Sequence, residues 1–277
     1  MKRILVTGAG GYIGRHVVKE LLDRGAEVIA TDINVDNIDS RAIRRKFDIF
    51  SGNTNVYNEL DCPDVVLHMA WKDGFIHNSN AHMEYLSKHY EFIKNMVEGG
   101  LKHIAVMGTM HEIGYYEGAI DENTLTNPTS MYGIAKDALR KSTQLLLKDK
   151  GVVLQWLRAY YIYGDDKRNN SIFAKIIVAE EEGKELFPFT TGKNKYDFIT
   201  VDELAKQISA CIMQDEINGI INCCTGVPMS LAEKVESFIK ENKFNIKLNY
   251  GAFPDRPYDS PAVWGDSSKI KAICNKK

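Results

Sequence analysis

Ile4-Leu5-Val6-Thr7-Gly8-Ala9-Gly10-Gly11-Tyr12-Ile13-Gly14 is the stretch that decides the fold. An apolar run enters a glycine-rich turn and leaves as the amphipathic segment Tyr12–Leu22, where Ile13, Val17, Val18, Leu21 and Leu22 share one helical face. That is strand, turn, helix. Gly8 permits the tight turn, Gly11 lets backbone approach a pyrophosphate, and Gly14 lets the helix lie close on the strand. The phosphates would meet the N–H groups and positive dipole end of the helix, beginning at Tyr12 and Ile13. Gly25 stands where a C-terminal cap belongs. A glycine triplet alone also serves plain tight packing; with strand and helix on either side, a dinucleotide is the expected ligand.

Outward from this turn, short apolar runs alternate with helical patterns. The strand candidates are Arg3–Thr7, Glu27–Thr31, Lys46–Ile49, Asp64–Met69, His103–Met107 and Val152–Leu157. Val- and Ile-rich strands separated by helices predict an α/β fold, a doubly wound (Rossmann) parallel sheet covered on both faces. From about Arg158 the rhythm loosens. Five of the 7 prolines fall there, and the helices Ile172–Glu182, Val201–Met213 and Leu231–Glu241 lack regular strand partners. Residues 1–165 are expected to form mainly the dinucleotide-binding domain. Residues 166–277 would form mainly a smaller C-terminal substrate-binding lobe, with the chain able to cross back.

Composition narrows the function. The chain has 277 residues, 44% hydrophobic and 26% charged, enough for a proper core. A net charge of −2 without a basic block argues against nucleic acid or an anionic membrane as partner. No window approaches the ~18 apolar residues of a membrane span. The amino terminus runs into glycine too soon for a signal peptide. The 5 cysteines form neither a disulfide ladder nor a Cys-x-x-Cys pair, so a reducing, cytoplasmic setting is expected. The 7 histidines show no metal-ligand spacing, and no metal is expected. Cys223-Cys224 read as strand residues.

Two further features carry chemistry. Asp32 ends the second strand, where a carboxylate accepts both adenosine ribose hydroxyls and repels a 2′-phosphate; NAD is therefore expected over NADP, with Ile33 alongside. The plain alternative is a turn residue before Asn34. Asp48-Ile49, closing the third strand candidate, suits either the adenine amino group or a bare strand end. Tyr132-Gly133-Ile134-Ala135-Lys136 opens the long helix Ser130–Leu147, and the i, i+4 spacing puts phenol and ammonium on one face. A phenol with pKa near 10 is a poor base at neutral pH, and a neighbouring cation stabilises its phenolate. Lys136 can also hold the nicotinamide ribose.

With those residues in view, the sequence resembles an extended short-chain dehydrogenase/reductase of the nucleotide-sugar epimerase/dehydratase family. Thr7-Gly8-x-x-Gly11-x-x-Gly14 is the extended glycine pattern, and the resemblance runs along nearly the whole chain. His68-Met69-Ala70 resembles the fourth-strand end beside the cofactor, which implies that Met69, Ala70 and the following Trp71 flank NAD. Trp71 suits either the nicotinamide or closure of the core. Leu157–Gly164 resembles the sixth-strand motif, placing Tyr160 beside the cofactor, and Tyr196–Asp202 resembles a second-lobe motif. Counted back from Gly114, Thr109 falls on the family's catalytic Ser/Thr. The implied catalytic set is Thr109, Tyr132 and Lys136.

Departures narrow the chemistry. Dehydratases of the family follow that Thr with Asp-Glu, and here Met110 and His111 stand instead. Met110 transfers no proton, so 4,6-dehydration is disfavoured. His111 is placed either for the substrate or for a backbone hydrogen bond. Tyr161 takes the place of a substrate-facing Asn. Tyr196 takes that of an Arg at the diphosphate, with Lys195 as its substitute, while Asn170 and Arg256 match diphosphate-holding positions. His77, Asn78, Asn80 and His82 lie in the loop after the fourth strand, near enough to line a sugar pocket, though the plainer reading is a solvated loop. The segments His111–Ala119 and Trp156–Asp166 are most similar to 4-ketoreductases of 6-deoxyhexoses. The expected protein is thus an NAD-dependent oxidoreductase acting at C4 of a dTDP- or UDP-linked 6-deoxysugar for cell-surface polysaccharide. A C4 epimerase retaining its NAD, and a non-catalytic NAD-binding sensor, are the alternatives. Family members pair through two helices, here about Ala81–Glu98 and Ser130–Leu147, so a homodimer is expected.

If Asp32 selects the cofactor, Asp32→Ala or Asp32→Ser removes a like-charge clash and relaxes the preference for NAD over NADP by roughly tenfold or more. Ratios of dinucleotide affinity check this. An unaltered protein that prefers NADPH to NADH would refute the role.

Overall fold

The structure, a computed structural model, describes residues 2–164, 171–255 and 259–275. The chain opens with β1 (Arg3–Thr7), α1 (Tyr12–Asp23), β2 (Glu27–Asp32) and β3 (Ile43–Lys46). It continues through α2 (Val56–Glu59), β4 (Val65–His68), α3 (Ala81–Glu84), α4 (Leu86–Glu98) and β5 (His103–Thr109). A short 3₁₀ turn, Met110–Glu112, leads to β6 (Gly118–Ile120), α5 (Met131–Leu147), β7 (Val153–Ala159) and β8 (Tyr161–Tyr163). Then come α6 (Ile172–Glu181), β9 (Leu186–Pro188), β10 (Lys195–Thr200), α7 (Val201–Ile212) and β11 (Gly219–Cys223). The last elements are β12 (Pro228–Ser230), α8 (Leu231–Glu241), β13 (Lys247–Asn249), β14 (Ala262–Gly265) and α9 (Ser268–Cys274).

Seven strands form one sheet in the order β11-β7-β5-β4-β1-β2-β3, and every pairing in it is parallel. This is the doubly wound α/β fold. Alternation along β1 explains the two faces: Ile4 and Val6 point to one side, Leu5 to the other. The first side is covered by Val17, Val18 and Leu21 of α1, Leu204 and Ile208 of α7, and Ile270 of α9. The second is covered by Phe92, Ile93 and Met96 of α4 with Leu139 of α5. Helix α1 ends as the sequence predicts. Gly25 takes φ +79°, and the N–H groups of Gly25 and Ala26 bond the carbonyls of Leu22 and Leu21.

A second sheet, β12-β10-β14-β6 with β8 beside β10, packs with α6 and α8 around Phe173, Phe189, Phe198 and Phe238. The chain returns from it: β11 pairs with β7 at the edge of the main sheet, and α7 lies in the main core. Strand partners for the later helices therefore exist, contrary to the expectation from the proline-rich sequence. Cys223 ends β11 and Cys224 follows it, both buried.

Two other boundaries differ from expectation. The third strand is Ile43–Lys46, not Lys46–Ile49. It is an edge strand with Arg44, Arg45 and Lys46 exposed, and polar edges do not announce themselves by hydrophobicity. Phe47, Ile49 and Phe50 turn under the sheet into the α4 core instead. The helical stretch 81–98 breaks at Tyr85 into α3 and α4. At the parallel sheet's carboxyl edge, β1 and β4 are neighbours whose connections run to opposite sides, the crevice where doubly wound sheets hold ligands.

Candidate active site

The glycine turn is built around close backbone approach. A Cβ on Gly14 would lie 2.2 Å from the Gly8 carbonyl oxygen, and one on Gly8 would meet the Ala70 backbone at 2.7 Å. Gly11 is different. Its Cβ would meet only the Gly8 oxygen, at 3.2 Å, and the residue is exposed. Gly11 also caps α1 with no side-chain hydrogen bond, at the helix end whose dipole favours an anion. Asp32 reaches over this turn: one carboxylate oxygen accepts from Gly10 N–H at 3.0 Å, the other from Ile33 N–H at 2.7 Å. Ile33 is exposed beside it. Asp48 and Ile49 follow β3 rather than ending it; Asp48 accepts from Phe50 N–H, and Ile49 is buried.

Thr7 ties the turn to the fourth strand. Its hydroxyl oxygen accepts from the N–H groups of Met69 and Ala70, at 3.1 and 3.2 Å, which leaves its proton for His68 Nδ1 at 2.9 Å. His68 Nε2 then pairs with His89 Nδ1 of α4 at 2.8 Å. Burial pushes His68 down to about 3 and His89 well below its usual range, so both rings are neutral. His89 stacks on Trp71 with centroids 4.2 Å apart.

Thr109, Tyr132 and Lys136 come together at the ends of β5 and α5. The Thr109 side chain lies beside the Tyr132 phenol. Lys136 is buried; its Nζ donates to the Met107 carbonyl at 2.7 Å and stands 3.7 Å above the Trp71 ring and 5.8 Å from that of Tyr132. Burial lowers the Lys136 ammonium from 10.5 to about 7, opposed by the charge of Glu112. Burial first, and then Glu112, raises the Tyr132 phenol, while the neighbouring Thr109 side chain lowers it. The local sequence explains the geometry. Ser130 caps α5 by accepting from Gly133 N–H, and Gly133 has no Cβ because one would lie 2.3 Å from the His111 carbonyl oxygen. The helix can thus press against the turn that carries Thr109.

The loop that reads as solvated in the sequence belongs to this site. The His77 carbonyl accepts from Tyr132 N–H at 2.9 Å, and Asn78 Oδ1 accepts from Met131 N–H at 3.2 Å. The His77 ring stacks on that of Tyr132 at 5.7 Å and lies 4.4 Å from His111. His82 is buried on α3, where its Nδ1 accepts from Trp71 Nε1 and its Nε2 bonds the Ile76 carbonyl. No periodicity or motif marks these histidines, because tertiary contacts alone gather them. Glu112, fully buried behind Thr109, was equally silent.

His111 is half-buried on the 3₁₀ turn, its N–H donating to Thr109 Oγ1 at 3.3 Å, and burial lowers its imidazole to about 4. Met110 points the other way, into the second-lobe core with Ile113, Ile120 and Tyr160. The Tyr160 ring lies in that core beside Gly265 and Cys224, so the structure does not gather it with the glycine turn. Tyr161 and Tyr196 pack on each other with centroids 4.2 Å apart, and Lys195 is exposed at the start of β10. Asn170 and Arg256 lie outside the described residues.

This is the geometry of a known family. The model for the NAD dependent epimerase/dehydratase family matches residues 4–224. A relative from Aggregatibacter actinomycetemcomitans, "dTDP-6-deoxy-L-talose 4-dehydrogenase (NAD(+))", is 46% identical over 95% of this chain and 98% of its own length. The chain belongs to the NAD-dependent epimerase/dehydratase family. Solved structures agree on the fold. A UDP-glucose 4-epimerase from Thermotoga maritima with UDP-glucose superposes with a TM-score of 0.83 at 22% identity, covering 98% of this chain and 91% of that one. A UDP-N-acetylglucosamine 4-epimerase from Methanobrevibacter ruminantium gives 0.85 at 21% identity, covering 99% and 92%.

Buried Lys136 has a measurable cost. Between about 7 and 10.5 the unfolded chain binds a proton that the folded chain does not, so wild-type stability rises with pH across that window. At and below the lower value the desolvation cost is fully present. Lys136→Met is expected to stabilise the apo protein by on the order of 2 kcal/mol near pH 6.5, with the gain fading toward pH 10, while turnover is lost. Thermal unfolding at several pH values checks it. A Met variant less stable than wild type near pH 6.5 would contradict it.

Proposed function

We propose that this protein is an NAD-dependent oxidoreductase that interconverts keto and hydroxyl groups at C4 of a nucleotide-activated 6-deoxysugar. The observation that carries the reading is the full-length likeness, at 46% identity, to a relative named for that activity. The site's own residues fit it. The α1 N-terminus at Gly11 and the Asp32 carboxylate suit a dinucleotide pyrophosphate and adenosine ribose. When bound there, NAD supplies or accepts the hydride at the sugar carbon.

The chain's part is proton handling and orientation. Tyr132 gives its proton to the C4 oxygen, or takes one from it, while the neighbouring Thr109 hydroxyl orients that transfer. Protonated Lys136, on the same helix face and held by the Met107 carbonyl, favours the phenolate. Met110 lies in an apolar core, so the position that would carry a dehydration acid has no proton to give and does not face the pocket. His111 and the Tyr161–Tyr196 pair would border the substrate, and Lys195 would meet its diphosphate. Trp71, Met69 and Ala70, packed against Lys136 and Gly8, would flank NAD.

We further read the protein as a cytoplasmic homodimer that serves polysaccharide sugar synthesis. Among the described residues no helix is long and apolar enough to cross a membrane, and all five cysteines are free thiols. Between α4 and α5 lies a cavity of about 420 Å³ lined by Met83, Leu86, Tyr90 and Ala138, with Ile134 and Leu145 exposed on α5. A second copy of this chain would cover that apolar face.

With a 4-keto-6-deoxyhexose nucleotide, NADH absorbance is expected to fall one-for-one with product, and Tyr132→Phe to slow this by ~10²–10⁴ while dinucleotide binding persists. Conversion of a 4-hydroxy nucleotide sugar into its C4 epimer with catalytic NAD and no net absorbance change would replace the reductase with an epimerase. A Phe variant with most of its activity would remove Tyr132 from the mechanism.

A further inference from the structure

Glu112 has no exposed surface, and the reaction as proposed makes no use of it. One carboxylate oxygen accepts from Thr109 N–H and from Trp156 Nε1, each at 2.8 Å. The other faces the fully buried guanidinium of Arg158 at 3.3 Å and that of Arg140 at 3.6 Å. A single side chain therefore joins the end of β5, the middle of β7 and helix α5 one turn beyond Lys136. Gly108 leaves the room for it: a Cβ there would lie 2.2 Å from Trp156 Nε1 and 2.8 Å from Glu112 Oε1.

As a mere tie between elements this knot needs no charge. Buried ion pairs replaced by packed apolar side chains are often neutral or stabilising, because desolvation offsets the Coulomb gain. The charge sits directly behind the two residues that handle the proton. We propose that Glu112 is a positioning residue that fixes Thr109 against the Tyr132 hydroxyl, and whose negative charge keeps the protons on the Tyr132–Lys136 pair. The site is thereby poised to donate a proton, the state that reduction of a C4 ketone requires. This rests on the reading of Tyr132 and Lys136 as the proton-handling pair.

The field acts in one sense on both partners. It opposes ionisation of the Tyr132 phenol and supports the Lys136 ammonium against burial. Other groups also face Tyr132. The Thr109 side chain from β5 favours ionisation. His77 and His111 are driven toward the neutral ring, mainly by burial, and His82 has both ring nitrogens hydrogen-bonded. That leaves Glu112 as the charge opposing the phenolate, with Arg158 screening it at 3.3 Å and Arg140 at 3.6 Å, the latter shared with buried Asp137 of α5 at 2.6 Å.

The test is the ionisation of Tyr132 itself, followed by NMR in NAD-saturated protein carrying [13Cζ]tyrosine, with the resonance assigned by its loss in Tyr132→Phe. Glu112→Gln keeps an oxygen to accept from Thr109 and Trp156 but carries no charge. Its Tyr132 is expected to ionise about one pH unit below wild type. Arg158→Gln removes the guanidinium that faces no carboxylate but Glu112 among the described residues, and is expected to move ionisation to higher pH. The pH profile of kcat on a nucleotide sugar should move the same way in each variant. Equal or reversed midpoints, or a Tyr132 that stays protonated to the alkaline limit in wild type and Glu112→Gln alike, overturn the proposal. If Glu112→Gln does not fold, Arg158→Gln decides, and an unchanged or lowered midpoint overturns it. Because the resonance is read without turnover, a shifted midpoint in a protein that turns over no nucleotide sugar would overturn the proposed reaction and leave the role of Glu112 standing.

Discussion

A lysine amine with almost no exposed surface is the constraint around which the site is arranged. Water no longer solvates Lys136, so the protein must: the Met107 carbonyl accepts its proton and the Trp71 ring lies beneath it. Trp71 is fixed in turn by stacking on His89 and by its bond to His82. His89 is held by His68, and His68 by Thr7 at the lip of the glycine turn. One chain of contacts thus runs from the glycine turn to the amine.

The parts legible in the sequence are those where backbone geometry permits one residue type. Gly8, Gly11 and Gly14 could be assigned separate tasks because strand and helix flank them, and the model bears out the tight spacing at Gly8 and Gly14. Tyr132 and Lys136 were legible because helix periodicity is local. The third strand was misplaced because an exposed edge carries Arg44, Arg45 and Lys46, and the apolar Phe47 and Ile49 beside it belong to the core beneath. His77 and His82 are legible only as loop residues within reach of a pocket, and Glu112 is not legible as a site residue at all. Each is defined by partners far away in sequence, such as Trp156 for Glu112 or Tyr132 for His77, and no spacing rule encodes those.

Within a family that shares its fold across several chemistries, function lies in what borders the common residues. Here the borders are unusually apolar and aromatic. Met110 is withdrawn into the second-lobe core, and Tyr161 and Tyr196 close on each other. The groups we propose as moving the proton are Tyr132 with its neighbours Thr109 and Lys136, backed by a carboxylate that never meets solvent and flanked by the His77 and His111 rings. That inventory suits a single proton transfer coupled to a hydride, and it lacks the acid–base pair that removal of water across a sugar ring demands.

The central claim is redox exchange at one sugar carbon, and isotope position tests it most directly. Each hydrogen of NADH C4 would be replaced in turn by deuterium, the cofactor supplied in excess with a dTDP-linked 4-keto-6-deoxyhexose, and the product examined by proton NMR. The account predicts that one of the two labelled cofactors leaves its deuterium at C4 of the product sugar, one per molecule formed, with matching loss of NADH. Product carrying no deuterium from either cofactor, or a 4-hydroxy sugar epimerised while the added label stays on the dinucleotide, would contradict it.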